Sequence, residues 1–480
     1  MRELSDLEPS AVWRWFETIC AIPRPSGSEG AMADLLAGFA GERSLEWRRD
    51  EADNVLIVKD GSGDAAGHPP LLLQAHVDMV PEKKAESDHD FLRDPIRPRI
   101  EGDWVVSRDT TLGADNGIGV ALMLAVLDSV DLEHPRLECL FTTDEERGLT
   151  GASNLRPEWI SARRLINLDS EEQGVFTIGC AGGTDFTVFM EAAASETVPC
   201  RKLTVSGLRG GHSGIEIDKS RGNAIRILGR CLDAIGSEFP LRIGSVRGGS
   251  KRNAIPREAE AMVAVDPGDV ARAVELMEEL AADLSEEYRG IEDGILLSLE
   301  GPERRVEVLD RRLSGTVRDL LLALPHGVEK MSGVIPGLVE TSVNLALLSQ
   351  DVNGIGLDLT ARSPLASARR ALGRRIAAVA RSAGCNFGSG DSYPGWMPDS
   401  DSEILAGMTG IYRRLFREDP GIESIHAGLE CGMIGDRVGG MDMISIGPDI
   451  RDVHVPGERV SISSLQKFWR FFTAVLEELE

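Results

Sequence analysis

The feature that most constrains the fold is a device repeated through the first third of the chain. Leu71-Leu72-Leu73-Gln74-Ala75 is a short, nearly continuous apolar run that stops at His76-Val77-Asp78. Leu137 to Phe141 ends the same way in Thr142-Thr143-Asp144-Glu145-Glu146, and Arg164-Leu165-Ile166-Asn167-Leu168 ends in Asp169. Short apolar runs without polar alternation are the pattern of strands buried on both faces of a sheet. In an open α/β sheet, functional groups collect at the carboxyl ends of the strands. One acid after a strand is unremarkable, but three strands ending in acid or imidazole are hard to assign to solvation alone. The pattern predicts an α/β fold with a site at one edge of its sheet.

A fourth acid comes from Thr110-Thr111-Leu112-Gly113-Ala114-Asp115-Asn116-Gly117-Ile118-Gly119, a Gly-rich turn feeding the apolar helix Val120 to Leu127. Glycines there permit positive φ and close approach of the backbone to a bound group. Taken alone, Asp115 reads as a helix N-cap. Beside the acids and histidines of the strand ends, it reads as a further member of their site.

At 480 residues the chain exceeds one ordinary core, which predicts two or three domains. Helical spacing runs through residues 11–20 and 30–40, and Asn54 to Val58 reads as a strand. From about Thr187 the texture changes to alternating strands and helices, among them strands at Val188–Met190, Lys202–Val205 and Glu258–Val265 and helices at Asn223–Ala234 and Val270–Tyr288. The expected layout is a catalytic α/β domain in two segments, 1–186 and 395–480, with an inserted α+β domain at 187–394. The segment Gly388 to Pro398, rich in Gly, Ser and Pro, reads as the hinge back. The last segment offers the helix Ser402–Phe416, a strand at Asp442–Ile446, His454 and a closing helix from Ser463.

A net charge of −26 disfavours nucleic acid, whose phosphates need clustered Lys and Arg, and disfavours an anionic membrane surface. No secretory signal or membrane-length apolar run is visible, and seven scattered cysteines without CxxC pairing fit reduced thiols, so a cytoplasmic setting is expected.

The candidates are therefore His76, Asp78, Asp115, Glu145, Glu146, Asp169 and His454. Two imidazoles and several carboxylates, with no cysteine, suit Zn²⁺ or a similar divalent ion in a catalytic site. Clustered carboxylates would otherwise repel one another and take up protons, so bound cations explain their coexistence. Adjacent Glu145 and Glu146 cannot point the same way from one extended segment, so one is expected to ligate while the other serves as base.

With these residues in place, the chain resembles the M20 metallopeptidase family, and within it the dipeptidases acting on Xaa-His. The matching runs are Gln74 to Pro81, Thr110 to Gly119, Asp144-Glu145-Glu146, Asn167 to Glu172 and Gly210-Gly211-His212-Ser213-Gly214. Arg252 to Pro256, Tyr393-Pro394-Gly395-Trp396, Ile425 to Gly432 and Ser445 to Pro448 complete an ordered set over nearly the whole chain.

The resemblance implies a zinc-peptidase-like catalytic domain with an inserted lid and dimerisation domain, a homodimer, and two Zn²⁺ per chain, with Mn²⁺ or Co²⁺ as substitutes. His76 and Asp169 would serve one ion, Glu146 and His454 the other, and Asp115 would bridge them across a cis Asp115–Asn116 peptide. Asp78 would fix the His76 tautomer, and Glu145 would act as base toward a metal-bridging water. From the inserted domain, His212 would support the oxyanion in the partner subunit's site, while Asn253 and Arg362 would bind substrate, Arg362 clamping its C-terminal carboxylate. The implied substrates are Xaa-His and related unblocked dipeptides. The competing readings are a deacylase of N-acyl amino acids in the same family and a metal-binding protein without catalysis. One departure stands out: around His454 the chain reads Val453-His454-Val455-Pro456-Gly457-Glu458, where relatives carry Pro before the His and Ser-Pro-Asp-Glu after it.

Overall fold

The computed structural model of the protein describes residues 4–192 and 194–480. The chain forms two compact units, Met1–Cys180 with Trp396–Ser424 and Leu429–Glu480, and Ala181–Gly395 with Ile425–Gly428. The divisions fall at 180/181 and 395/396, and the tetrapeptide Ile425–Gly428 returns to the second unit from within the last segment.

The first unit is built on an eight-stranded sheet. In chain order its strands are β1 (Glu46–Arg49), β2 (Val55–Lys59), β3 (Leu71–His76), β4 (Leu137–Thr142), β5 (Arg164–Asn167), β6 (Val175–Cys180), β7 (Gly421–Ile425) and β8 (Asp442–Ser445). Their order across the sheet is β1-β2-β4-β3-β5-β8-β6-β7. The four central strands β4, β3, β5 and β8 run parallel. Every residue of β3 and β4 is buried, which is why both read as continuous rather than alternating runs. The helices of this unit include α1 (Ser10–Cys20), α2 (Gly30–Glu42), α3 (Ala114–Asp128), α4 (Glu145–Gly148), α5 (Glu403–Phe416), α6 (Glu430–Val438) and α7 (Ile462–Glu478). From Gly117 to Leu127, α3 is buried all round, so it lies inside the core instead of presenting one apolar stripe. Trp13, Phe16, Phe141, Phe468 and Phe472 pack in that core with α3.

A four-stranded sheet, ordered Ile450–Arg451, Arg459–Ser461, Trp104–Val106 and Arg99–Glu101, joins two distant pieces of this unit. It sets the loop carrying His454 beside the strand that leads into the Asp115 turn.

The second unit holds a nine-stranded sheet whose described pairings are all antiparallel. Its helices include Ala224–Glu238, Val270–Glu287, Arg311–Ala323 and Ala366–Ser382, and its core gathers residues such as Ile225, Leu228, Leu232, Leu321, Leu345 and Leu359. Asn223 caps its first long helix, its side chain accepting from the N–H groups of Ile225 and Arg226.

The first part of the expected hinge Gly388–Pro398 is strand, and the division at 395/396 falls in the rest of it. Asn386–Tyr393 pairs antiparallel with Gly182–Glu191 at the sheet edge, with a register shift between Ser389 and Ser392. Most of its residues are exposed, so no buried face imposed an apolar alternation that the sequence could reveal.

Candidate active site

The carboxyl ends of the central strands bring the first-unit candidates together. His76 closes β3 and is buried. Its Nε2 lies 3.1 Å from Asp115 Oδ1 and 3.3 Å from Asp169 Oδ1. His454 is half exposed, and its Nε2 lies 3.0 Å from Asp115 Oδ2 and 2.9 Å from Glu146 Oε1. Each oxygen of Asp115 thus faces one imidazole. Two triads result, His76–Asp115–Asp169 and Asp115–Glu146–His454, each with one donor atom per residue lying within 4.8 Å of the others. They share Asp115.

Local backbone explains how Asp115 reaches both sides. Gly113 stands at φ 69°, where a Cβ would collide with the Arg24 guanidinium and the Met79 thioether. Asp115 and Asn116 depart from helical φ/ψ inside the first turn of α3, and the peptide between them is cis. The side chain makes no helix cap; it is turned to the histidines instead. His454 itself sits at φ 62° in the loop before Arg459–Ser461, a conformation histidine adopts more readily than most residues.

Asp78, fully buried, has two uses. Its Oδ1 lies 3.3 Å from His76 Nδ1, and its two oxygens accept the N–H groups of Glu145 at 3.1 Å and Glu146 at 3.3 Å. Burial pushes its carboxyl up, but the His76 contact and the hydrogen bonds it accepts outweigh that and hold it at about 2. It therefore stays charged, turns His76 Nε2 toward the acids and anchors the start of α4. Glu145 and Glu146 lie on that helical turn, not on an extended segment, so successive side chains are not forced to opposite faces. Both reach the site: His76, Glu145 and Glu146 form another compact cluster.

Electrostatics divide the acids. Burial drives Glu145 well above the ordinary carboxylate range, with Asp169, Glu430 and Glu146 adding to it against the pull of His76. Asp169 rises to about 6 for the same reason, burial first and then Asp115 and Glu146. Asp115 is held low despite its burial, because it accepts from both imidazoles. At His76 burial opposes a charged ring, yet Asp169, Asp115 and Asp78 together keep it well above its usual value. A pocket in which carboxylates crowd and imidazoles face acid oxygens is arranged for cations. Its nitrogen and oxygen donors, with no sulfur, fit Zn²⁺ or a similar divalent ion.

Four buried polar residues that the sequence reading did not single out hold this geometry. Arg24 donates to the carbonyls of Val77, Asp78 and Gly113, tying the end of β3 to the Asp115 turn. Glu458 accepts the N–H groups of Leu112 at 2.7 Å, Gly113 at 2.8 Å and Asp115 at 3.1 Å. It is the acid that survives in the altered flank of His454, four residues on, and that spacing was the available signal. Asn116 Nδ2 donates to Asp169 Oδ1. Glu430, at the start of α6, accepts from Gln74 and Thr142, and burial pushes its carboxyl up to about 8. A further acidic cluster, Glu29–Asp78–Asp144, is accounted for by backbone donors: Glu29 Oε1 accepts from Gly27 at 2.6 Å and Asp144 at 3.2 Å.

His212, Asn253 and Arg362 lie in the second unit. His212 Nδ1 accepts the N–H groups of Gly214 and Ile215, both at 3.2 Å, which leaves the proton of the neutral ring on Nε2. Burial and Arg362 lower its pKa. Asn253 is exposed, and its carbonyl accepts from Ser213 at 2.8 Å, while Asn344 donates to the carbonyls of Arg252 and Ala254 on either side. Arg362 is buried; its Nη1 donates to Tyr393 Oη at 2.9 Å, and its Nε has no partner. Nearby His426 pairs with Ser342 Oγ at 2.7 Å, and burial with Arg362 pushes it down to about 3.

Comparison with known proteins agrees with this architecture. Residues 203–292 match the model of the peptidase dimerisation domain of the M20 family, and residues 54–199 match that of peptidase family M28. The chain is 41% identical to the cytosol non-specific dipeptidase of Escherichia coli (strain K12), over 100% of this chain and 99% of that protein. It is 40% identical to the aminoacylhistidine dipeptidase from Vibrio alginolyticus, whose crystal structure superposes with a TM-score of 0.90 over 99% of this chain and 98% of the other. Aminopeptidase PepT from Bacillus cereus shares the fold at 14% identity and a TM-score of 0.57, over 98% of this chain and 99% of the other. With full-length likeness to two dipeptidases and an M20 dimerisation domain in its second unit, the chain belongs to the M20 family of peptidases.

Proposed function

We propose that the protein is a dinuclear zinc dipeptidase that hydrolyses Xaa-His and related unblocked dipeptides. The observation that carries this reading is the pair of His-carboxylate triads sharing Asp115. The dipeptidase names of the full-length relatives support the substrate class, and M20 peptidases are metal-dependent. His76 and Asp169 would hold one ion, Glu146 and His454 the other, with Asp115 between them. Bound there, divalent ions supply a Lewis acid for the scissile carbonyl and make water a nucleophile at neutral pH.

The chain's own residues do the rest. Glu145, kept basic by burial among like charges, accepts the proton of the attacking water and passes it to the departing amine. Asp78 holds His76 with its proton on Nδ1, so that Nε2 offers a lone pair. His212, protonated on Nε2, would donate to the oxyanion of the tetrahedral intermediate in the partner subunit's site. Arg362 receives the C-terminal carboxylate with donors that Tyr393 leaves free, and Asn253 adds an amide. Reading both the scissile carbonyl and the carboxylate one residue beyond it selects dipeptides over longer chains. The second unit would also form the homodimer interface, and the cytosolic relative supports a cytoplasmic setting.

Hydrolysis of β-Ala-His and Gly-His, followed by free histidine with chelator and then with restored zinc, tests the proposal. Chelator-sensitive, zinc-restored release is expected. Cleavage of N-acetyl-histidine with no cleavage of either dipeptide would point to the N-acyl deacylase reading instead.

A further inference from the structure

Gln74, Asn167 and Ser445 stand in register on the adjacent parallel strands β3, β5 and β8, Gln74 opposite Asn167 and Asn167 opposite Ser445. All three are fully buried in the middle of the sheet. Their side chains form one directed chain. Ser445 Oγ donates to Asn167 Oδ1, and Asn167 Nδ2 donates to Gln74 Oε1 at 2.7 Å. Gln74 Nε2 then donates to Glu430 Oε2 at 2.5 Å and to Thr142 Oγ1 at 3.0 Å, and Thr142 Oγ1 donates to the same Glu430 oxygen at 2.7 Å. The direction follows from its end. Glu430 Oε2 accepts both of its hydrogen bonds, so the Gln74 amino group faces it, the Gln74 carbonyl faces Asn167, and the Asn167 carbonyl faces Ser445.

Polar side chains in the centre of a parallel sheet cost free energy unless paired. An apolar row would hold the sheet together as well, and a satisfied polar network instead fixes one arrangement. What lies above the row gives that fixation a use. His76 is two residues beyond Gln74, and Asp169 two beyond Asn167; on extended chains such pairs share a face. The ladder continues past the strand end, since Leu168 N–H donates to the Gln74 carbonyl at 2.9 Å.

We propose that Gln74, Asn167 and Glu430 form a positioning clamp that sets the spacing of His76 and Asp169, and with it the affinity of one of the two metal positions. The clamp joins the strands of that position directly, whereas Glu146 and His454 are carried by α4 and by the loop after Ile450–Arg451. This rests on the metal-ligand reading proposed above.

The test is calorimetric titration of the metal-stripped full-length chain with zinc, with ions counted by mass spectrometry and the melting temperature recorded. Gln74→Met removes both ends of the amide bridge and is expected to weaken one ion about 10–100-fold, as loss of groups supporting metal ligands does, while the other binds as in wild type. Glu430→Leu should do the same. Glu430→Gln should restore wild-type affinity, because its amide oxygen can take the place of Oε2 and its amino group that of Oε1, which has no partner. Should Gln74→Met fail to fold, Ser445→Ala trims only the outer hydroxyl and should weaken the same ion by a smaller factor. Wild-type binding of both ions in the Gln74 and Glu430→Leu variants overturns the clamp. So does equal weakening of both ions with a lowered melting temperature, the mark of a purely structural role. His76→Ala separates the two levels: if it too binds as wild type does, the ligand reading fails and the clamp with it.

Discussion

In the first unit, His76 and His454 turn Nε2 toward Asp115, Asp169 and Glu146, and their rings are driven toward the charged form. In the second, His212 and His426 stand near Arg362 in buried surroundings, and theirs are driven toward the neutral form. The same side chain thus serves two opposite fields. One cluster gathers negative charge and is arranged to hold cations, whereas the other offers N–H donors and a guanidinium and is arranged to hold anions. On the function proposed above, a dipeptide undergoing hydrolysis would call on both kinds of cluster, one for a polarised carbonyl and one for a held carboxylate.

The contrast can be broken from either side. The largest effect should come from Asp115→Ala, which removes the acid common to both triads. Both ions should be lost and turnover should fall by about 10³-fold or more, since Lewis-acid assistance is worth several kcal/mol; retention of two ions in this variant would remove Asp115 from its shared role. Glu145→Gln should keep both ions while kcat falls about 10²–10⁴-fold, the span of general acid–base assistance. Wild-type turnover with confirmed metal content would take the base role away from Glu145. On the anion side, Arg362→Ala should lower kcat/KM toward a free dipeptide about 10–10²-fold, the worth of a charged hydrogen bond, and leave a C-terminally amidated dipeptide nearly unaffected. Equal losses on both substrates would mean that Arg362 does not read the carboxylate.

The smallest effect concerns stability. Burial pushes His326 down to about 3, as it does His426. Between that value and the unfolded-state value near 6.5, the unfolded chain binds protons that the folded chain does not. Stability from these rings is complete above about pH 6.5 and is lost as pH falls toward 3. His326→Gln, whose side chain can still accept from Asn223, should flatten this acid limb in melting temperatures measured from pH 7 downward; an unchanged slope would show that the ring does not contribute.

Much of the fold was legible because β3, β4 and β5 are largely buried on both faces and therefore read as short, nearly continuous apolar runs. Their ends, His76 and Asp169, were visible for the same reason. The Asp115 turn stood out through its glycines, although its helix begins at Ala114, earlier than the apolar run at Val120 suggested. The expected hinge Gly388–Pro398 overlaps the strand Asn386–Tyr393 because an exposed edge strand carries no periodic apolar signal that would mark it. Glu145 and Glu146 follow an apolar strand and so read as extended, because nothing local shows that Asp78 accepts their N–H groups and starts a helical turn there. Arg24, Asn116, Glu430 and Glu458 were missed for a common reason. Each earns its place through partners distant in sequence, such as Glu458 bonded to Leu112, and a buried polar group looks like any surface residue until those partners are known.

Two cation positions that share one carboxylate are the centre of the proposed site. Zinc titration of the metal-stripped chain, wild type beside His76→Ala and His454→Ala, tests this most directly. Two ions per wild-type chain and one tightly bound ion in each variant are expected. A single ion in wild type, or two ions indifferent to both substitutions, would contradict it.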